Sequence, residues 1–335
     1  MRVLVTGGAG YIGSALITKL LDEGYDVFSI DNLSRGDYKY LKKYEGNPRL
    51  KLVVGDVCDL EKLEEVLKEC GKVDAVVHLA AIPGLERCQK NPQSAILTNI
   101  YGTYNVLETA RKHDVSKFVF TSSAAVYGNP IKTPIVEEHP LNPTNLYGVT
   151  KLAGEKLVEA YHSSYGLDTV ILRFGNVYGV GLYSYWETVI PKFVKQALSG
   201  QPLTIYGDGK QSRDFIHAWD IIQAIMLAVK AGSVITGETF NVGIGKPTSV
   251  NAIAHVISKI FVHEIGKKVK LVYLPPRKDE PYAPNLCLLP TKIKNRLQFK
   301  PQWNIKMGIK QLIVNGKAHW TSNSQESQIR INARL

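Results

Sequence analysis

Cysteine is scarce in this chain: four in 335 residues, Cys58, Cys70, Cys88 and Cys287, with no two at CxxC spacing. That excludes a thiolate metal cluster and a disulfide framework, and makes a reducing cytoplasm the default expectation. No run of about 18 apolar residues occurs, so no membrane span is expected. The opening Met1-Arg2-Val3-Leu4-Val5-Thr6-Gly7 reaches glycine too soon to hold the apolar core of a signal peptide. Internal repeats and low-complexity tracts are absent. So are an arginine-rich run and a mixed aromatic and basic motif, which argues against a nucleic-acid surface.

What is present is an ordinary globular composition, 44% apolar and 21% charged, sized for one large domain or two small ones. The net charge of +11 is uneven. Residues 1–180 carry 20 Lys/Arg against 21 Asp/Glu, whereas residues 181–335 carry 21 against 9. A basic second half fits a nucleic-acid, an anionic membrane or a phosphate-bearing partner. Its cations stand mostly singly, as at Lys192, Lys195, Lys210 and Arg213, in the manner of solvated surface residues.

Apolar runs at Arg2–Thr6, Asp26–Asp31, Leu50–Gly55, Ala75–Leu79, Lys117–Thr121 and Thr169–Arg173 read as strands. They are apolar along their whole length rather than alternating, the mark of a parallel sheet covered on both faces. Helical stretches lie between them at Ile12–Glu23, Leu60–Glu69, Pro92–Lys112 and Asn145–Tyr165. This alternation predicts an α/β fold with a doubly wound parallel sheet of Rossmann type. After Gly175 the alternation breaks. Pro202–Tyr206, a helix Trp219–Lys230, a strand Glu238–Val242, a helix Val250–Ile260, a strand Val269–Leu274 and a last helix Met307–Trp320 read as a smaller mixed α/β C-terminal lobe.

Two constellations carry chemistry. Gly7, Gly10 and Gly13 form a GxxGxxG between the first strand and the first helix. Gly7 permits the tight turn, Gly10 lets the backbone approach a pyrophosphate, and Gly13 lets the helix pack closely on the strand. The helix N-terminus then offers free N–H groups to the phosphates. Asp31, 18 residues past Gly13 at the end of the second strand, is placed to bind ribose hydroxyls and repel a 2′-phosphate, favouring NAD over NADP. Arg35, four residues on, is able to accommodate such a phosphate and leaves that choice open.

Tyr147-Gly148-Val149-Thr150-Lys151 is a YxxxK, which on a helix puts Lys151 one turn from Tyr147. A lysine cation stabilises a phenolate and makes tyrosine a usable general base. Ser122-Ser123, 25 and 24 residues earlier, sits at the carboxyl end of an apolar strand, where ligands bind in open α/β sheets. A hydroxyl there is able to share a hydrogen bond with the tyrosine and a substrate oxygen.

Taken together, TGGAGYIG, Asp31, SSAAVYG, YGVTK and RFGNVYG resemble the extended short-chain dehydrogenase/reductase family, most closely its NAD-dependent nucleotide-sugar epimerases and dehydratases. The resemblance runs from Met1 to about Trp320. It implies that Tyr147 is the catalytic base, Lys151 its partner and a ligand of the nicotinamide ribose, and Ser123 the assisting hydroxyl. It implies that Tyr11, Ile12, Asp31, Asn32, Asp56, Val57, Leu79, Ala80, Ala81 and Asn99 line NAD. Asn176, Tyr206, Arg213 and Arg277 would hold the sugar nucleotide, the two arginines as diphosphate clamps. The expected division is a cofactor domain 1–175, a substrate lobe 176–320 and a polar tail 321–335. A homodimer through Asn99–Lys112 and Asn145–Tyr165 is implied by the resemblance, and no metal.

Dehydratases of the family place an acidic pair before VYG. Here Ser123-Ala124-Ala125-Val126-Tyr127-Gly128 holds no acid, as in the 4-epimerases. The expectation is 4-epimerisation of a UDP-hexose, UDP-glucose or UDP-galactose. Alternatives are a UDP-N-acetylhexosamine 4-epimerase, a decarboxylase, reductase or dehydratase on the same scaffold, and a non-catalytic NAD-sensing module. Ile82-Pro83 stands where some galactose epimerases of the family carry a lysine, and the bulk near Tyr282–Pro284 would bear on N-acetylated sugars.

Overall fold

The structure, a computed structural model, describes residues 1–179, 186, 188–276 and 285–316. The first half alternates strand and helix: β1 Arg2–Thr6, α1 Tyr11–Asp22, β2 Asp26–Asp31, β3 Leu50–Val54, α2 Leu60–Cys70, β4 Ala75–His78, α3 Leu85–Lys90, α4 Pro92–Ile96, α5 Gly102–Lys112, β5 Lys117–Ser123, α6 Leu146–Tyr165 and β6 Thr169–Phe174. There follow β7 Asn176–Tyr178, α7 Val189–Leu198, β8 Leu203–Tyr206, β9 Ser212–His217, α8 Ala218–Lys230, β10 Glu238–Val242, β11 Pro247–Ser249, α9 Val250–Ile265, β12 Leu271–Leu274, β13 Asn285–Leu286, α10 Thr291–Leu297 and a helix over 305–316.

Seven parallel strands make the main sheet in the order β10-β6-β5-β4-β1-β2-β3. The order reverses between β1 and β4, which opens a crevice at their carboxyl ends, the usual ligand site of such sheets. One apolar layer, with Leu16, Ile17, Leu20 and the α8 residues Ile221 and Ile225, covers one face of the sheet. A second, with Leu63, Leu67, Val106, Leu107 and Val158 from α2, α5 and α6, covers the other. Strands covered on both faces are thus apolar over most of their length. A third layer ties α7, α9 and the 305–316 helix to β8. Smaller sheets hold β11-β9-β13 with β7 against β9, and β12 against β8.

Two sequence expectations are corrected here. Glu238–Val242, read with the smaller lobe, is β10 and pairs with β6 in the main sheet, and α8 packs on that sheet as well. A five-residue strand does not reveal which sheet edge it completes. Pro92–Lys112, read as one helix, is α4 and α5 joined by a π-helical turn, Leu97–Tyr101. Met307–Trp320, Tyr282–Pro284 and the tail 321–335 lie wholly or partly outside the described residues. No helix among the described residues is long and apolar enough to cross a membrane.

Candidate active site

The glycine turn is built by steric necessity. Gly7 has φ +74°, and a Cβ on it would stand 2.8 Å from the backbone nitrogen of Ala80. The turn after β1 therefore lies directly on the strand end Leu79-Ala80-Ala81. A Cβ on Gly13 would strike the Gly7 carbonyl, so the helix presses on the turn as the spacing predicts. Helix α1 has neither a side-chain cap nor an acidic residue in its first turn. By contrast Asp59, Asn145 and Ser249 cap α2, α6 and α9 with their own side chains. The N-terminus of α1 is thus left for an anion from outside, and Tyr11 and Ile12 stand at that end.

Asp31 holds this turn from the side. Its carboxylate accepts from the Ala9 N–H at 3.0 Å and the Leu33 N–H at 2.8 Å. Burial pushes its pKa up, against those two donors. The segment after β2 folds back on the turn, with the Asp37 N–H donating to the Ala9 carbonyl at 3.2 Å, and it carries Arg35. Asn32 donates to Asp56 at 2.7 Å. Burial raises the Asp56 carboxyl, but donors from Cys58 and Asn32 outweigh it and leave the group below its ordinary range. Val57 is buried beside Gly102, whose Cβ would stand 2.6 Å from a Val57 methyl.

The π-helical turn puts Asn99 inward. Its amide donates to the Ile82 carbonyl and to Thr150 Oγ1, both at 3.0 Å, and its oxygen accepts from the Ile82 N–H at 2.7 Å. Asn99 therefore fastens the loop after β4 to α6. Sequence reasoning missed the residue behind this loop, His78. Its ring joins Thr6 Oγ1 at 2.7 Å to Thr103 Oγ1 at 3.0 Å, and Thr6 Oγ1 also accepts from the Ala80 N–H. Burial, with the charge of Lys151, lowers the His78 pKa to about 3 and keeps the ring neutral. A histidine ending an otherwise apolar strand was the available signal.

The second constellation comes together at the end of β5. Ser123 Oγ accepts from the Ala125 N–H at 3.2 Å. Helix α6 begins at an Asn145 cap, whose side chain accepts from the Gly148 N–H at 2.9 Å. A Cβ on Gly148 would stand 2.5 Å from the Ala125 carbonyl. The glycine after Tyr147 thus lets the first turn of α6 sit on the turn that follows Ser123. Lys151, 5% exposed, lies over the Phe120 ring with its ammonium 4.7 Å from the centroid. Burial lowers its pKa to about 8, against the charges of Glu155 and Cys88. A cation so placed is poised to exchange its charge state near neutral pH.

The remaining sequence candidates lie on the other sheets. Asn176, exposed, opens β7, whose register sets it opposite Phe215 of β9. Tyr206 ends β8, and Arg213 lies on β9 with one guanidinium nitrogen donating to the Ser212 carbonyl at 2.9 Å. Its neighbour Asp214 is buried and accepts from the Ile244 and Gly245 N–H groups at 3.0 Å, which fixes the strand. The Tyr11 hydroxyl donates to the Gly179 carbonyl at 2.8 Å and so bridges the glycine turn to the end of β7. Arg277 lies outside the described residues.

The model of the NAD dependent epimerase/dehydratase family matches residues 3–243. The chain belongs to this family. NAD is accordingly its cofactor, and the glycine turn, the uncapped α1 and Asp31 fit it. The chain is 33% identical over 332 residues to the dTDP-glucose 4,6-dehydratase of Haemophilus influenzae, covering 93% of this chain and 97% of that one. It is also 33% identical over 311 residues to the UDP-glucose 4-epimerase of Mycolicibacterium smegmatis, covering 92% and 96%. The crystal structure of the UDP-glucose 4-epimerase of Thermotoga maritima, solved with UDP-glucose, superposes with a TM-score of 0.87 at 32% identity, covering 96% of this chain and all of that one. Both epimerases and dehydratases of the family resemble the chain, and the choice between them falls to the site.

The Asp31 carboxylate at the mouth of the turn gives a first expected result. NAD binds at least about tenfold more tightly than NADP, since a difference of 1.4 kcal/mol suffices for that ratio. Equal dissociation constants by calorimetric titration would instead assign the ribose phosphate to Arg35.

Proposed function

We propose that the chain is a UDP-hexose 4-epimerase acting on UDP-glucose and UDP-galactose. The observation that supports this over dehydration is the turn after β5. Between Ser123 and Tyr127 it presents Ala124, Ala125 and Val126, with no carboxyl group to deliver a proton to a departing hydroxyl. The carboxylate one turn beyond Lys151, Glu155, is consumed by Arg173. Loss of water needs an acid at the reacting carbon, whereas epimerisation needs only one group that takes a proton and gives it back.

In the mechanism Tyr147, as phenolate, removes the proton of the sugar 4-hydroxyl. Ser123 donates a hydrogen bond to the same oxygen, and Lys151 holds the phenolate by its charge. NAD would be held by the glycine turn, the start of α1 and Asp31, and would supply a hydride acceptor, and in turn a donor, at C4 of the sugar. The 4-keto sugar turns about its diphosphate between those events, and Tyr147 gives the proton back. Arg213 holds the diphosphate while the sugar turns, and Asn176 and Tyr206 flank it. Incubation with UDP-glucose, UDP-galactose and their N-acetylated forms, with product identification, tests the reading. A dehydrated or decarboxylated product overturns it.

Arg213 provides a second expected result. Arg213→Leu removes a charge-assisted fork from the diphosphate, a kind of contact whose truncation costs on the order of 2–5 kcal/mol. UDP affinity falls at least about tenfold, while NAD affinity is unchanged. Unaltered UDP binding in calorimetry would make Arg213 an ordinary strand arginine. A homodimer is also proposed, supported by exposed Leu97, Tyr101, Tyr104, Val149 and Tyr165 on the π-helical turn, α5 and α6.

A further inference from the structure

Below Tyr147 and Lys151 on α6 comes a third residue at the same four-residue spacing, Glu155. It is fully buried, an expensive place for a carboxylate unless every lone pair is engaged. Ser122, the residue before Ser123, donates to Glu155 Oε1 at 2.5 Å. Arg173, at the end of β6, donates through Nε at 3.0 and 3.2 Å and through a terminal nitrogen at 2.7 Å. Arg173 is anchored in turn, donating to the Tyr127 hydroxyl at 2.8 Å and the Glu137 carbonyl at 3.0 Å. Tyr127 passes its own hydrogen to Asn241 of β10 at 2.7 Å. One carboxylate thus joins α6 to the ends of β5 and β6, and through Arg173 to β10. Gly154, beside it, leaves no room for a Cβ against the Phe120 ring on which Lys151 rests.

We propose that Glu155, paired with Arg173 and held by Ser122, is a positioning residue that sets the Tyr147–Lys151 face of α6 against Ser123 and keeps a negative charge one turn from the Lys151 ammonium. This rests on the reading of Tyr147 as the base. Around Lys151 stand Glu155 and, by helical spacing, Tyr147 on its own helix, His78 of β4, Cys88 of α3 and the Phe120 ring of β5, with the Arg173 guanidinium of β6 bound to Glu155. His78 is neutral, and burial raises the Cys88 thiol, so Glu155, paired with Arg173, is the carboxylate of this set that acts on Lys151. Without it, a buried ammonium gives up its proton at lower pH, and the phenolate loses its cation.

The test is a pH titration of the tyrosinate absorbance of the full chain with NAD, read as the difference between each protein and its Tyr147→Phe counterpart. Glu155→Gln is expected to move the midpoint of the Tyr147 signal upward by at least about one pH unit. Glu155→Asp, which retains the charge, stays nearer to wild type than to the glutamine variant. Should Glu155→Gln not fold, Glu155→Gln combined with Arg173→Met removes both charges together and leaves no bare ion, and an upward shift of the same sign but smaller size is expected. A wild-type Tyr147 signal that neither variant moves overturns the role of Glu155 alone. A wild type with no Tyr147 signal below the ordinary tyrosine range of about 10 overturns the base reading, and this proposal with it.

Discussion

Tyr147→Phe is expected to lower turnover of the proposed UDP-hexose substrate by about two to four orders of magnitude, the usual worth of a positioned general base. The substitution removes one hydroxyl and keeps the ring, so the packing of the first turn of α6 on Ala125 persists, as does the Asn145 cap. Lys151 remains over Phe120. The loss therefore falls on kcat, because the proton transfer belongs to the transition state and not to ground-state binding. NAD affinity, measured in the same preparation, stays at the wild-type value. Turnover within about threefold of wild type would remove Tyr147 from the chemistry and leave Ser123 and Lys151 without a base to serve.

Gly7→Ala is expected to weaken NAD binding by between about tenfold and a hundredfold and to destabilise the fold by about 1–3 kcal/mol. Two costs combine. At φ +74° an alanine is strained by its own backbone, and its Cβ stands 2.8 Å from the Ala80 nitrogen, which belongs to the strand end and has nowhere to go. Either the turn lifts away from Leu79-Ala80-Ala81 or the strand end shifts, and each moves the N–H groups at the start of α1. Gly46→Ala separates the two costs. Gly46 has φ +78° with open space where the Cβ would lie. That variant loses stability through backbone strain alone and binds NAD as wild type does. Calorimetric titration of NAD, with thermal unfolding of both variants, reads the difference. Equal NAD affinities in the two variants would show that the Gly7 contact with Ala80 does not shape the cofactor turn.

Much of the fold was legible because its signals are local. Strands covered on both faces are largely apolar, and β1, β2 and β10 fall at the bounds read from sequence. GxxGxxG is short, and the fold turns its spacing into a contact, Gly13 on Gly7. What was not legible depends on distant partners. Nothing in Glu238–Val242 says that it completes the β6 edge, because every residue that decides this lies on β6. The break at Leu97–Tyr101 is equally silent, since the turn is paid for by the bonds Asn99 makes to Ile82 and Thr150. The buried pair of Glu155 and Arg173 left half a signal: one arginine in the apolar run Val-Ile-Leu-Arg-Phe demands a counter-charge, but the sequence does not name it.

The place of β10 has a consequence for how the chain is made. Synthesis proceeds from the N-terminus at roughly 5–20 residues per second. Strands β1 to β6 are complete by Phe174, whereas β10 begins only at Glu238. For the interval between, β6 is an open edge of six apolar-flanked residues, with its N–H and C=O groups unpaired and free to template another chain. Arg173 lies on that edge strand, and one of its supports, Asn241 acting through Tyr127, has yet to arrive. The nascent first half is therefore the form of this protein most exposed to self-association, and the strand that relieves it is delivered by the second half of the chain.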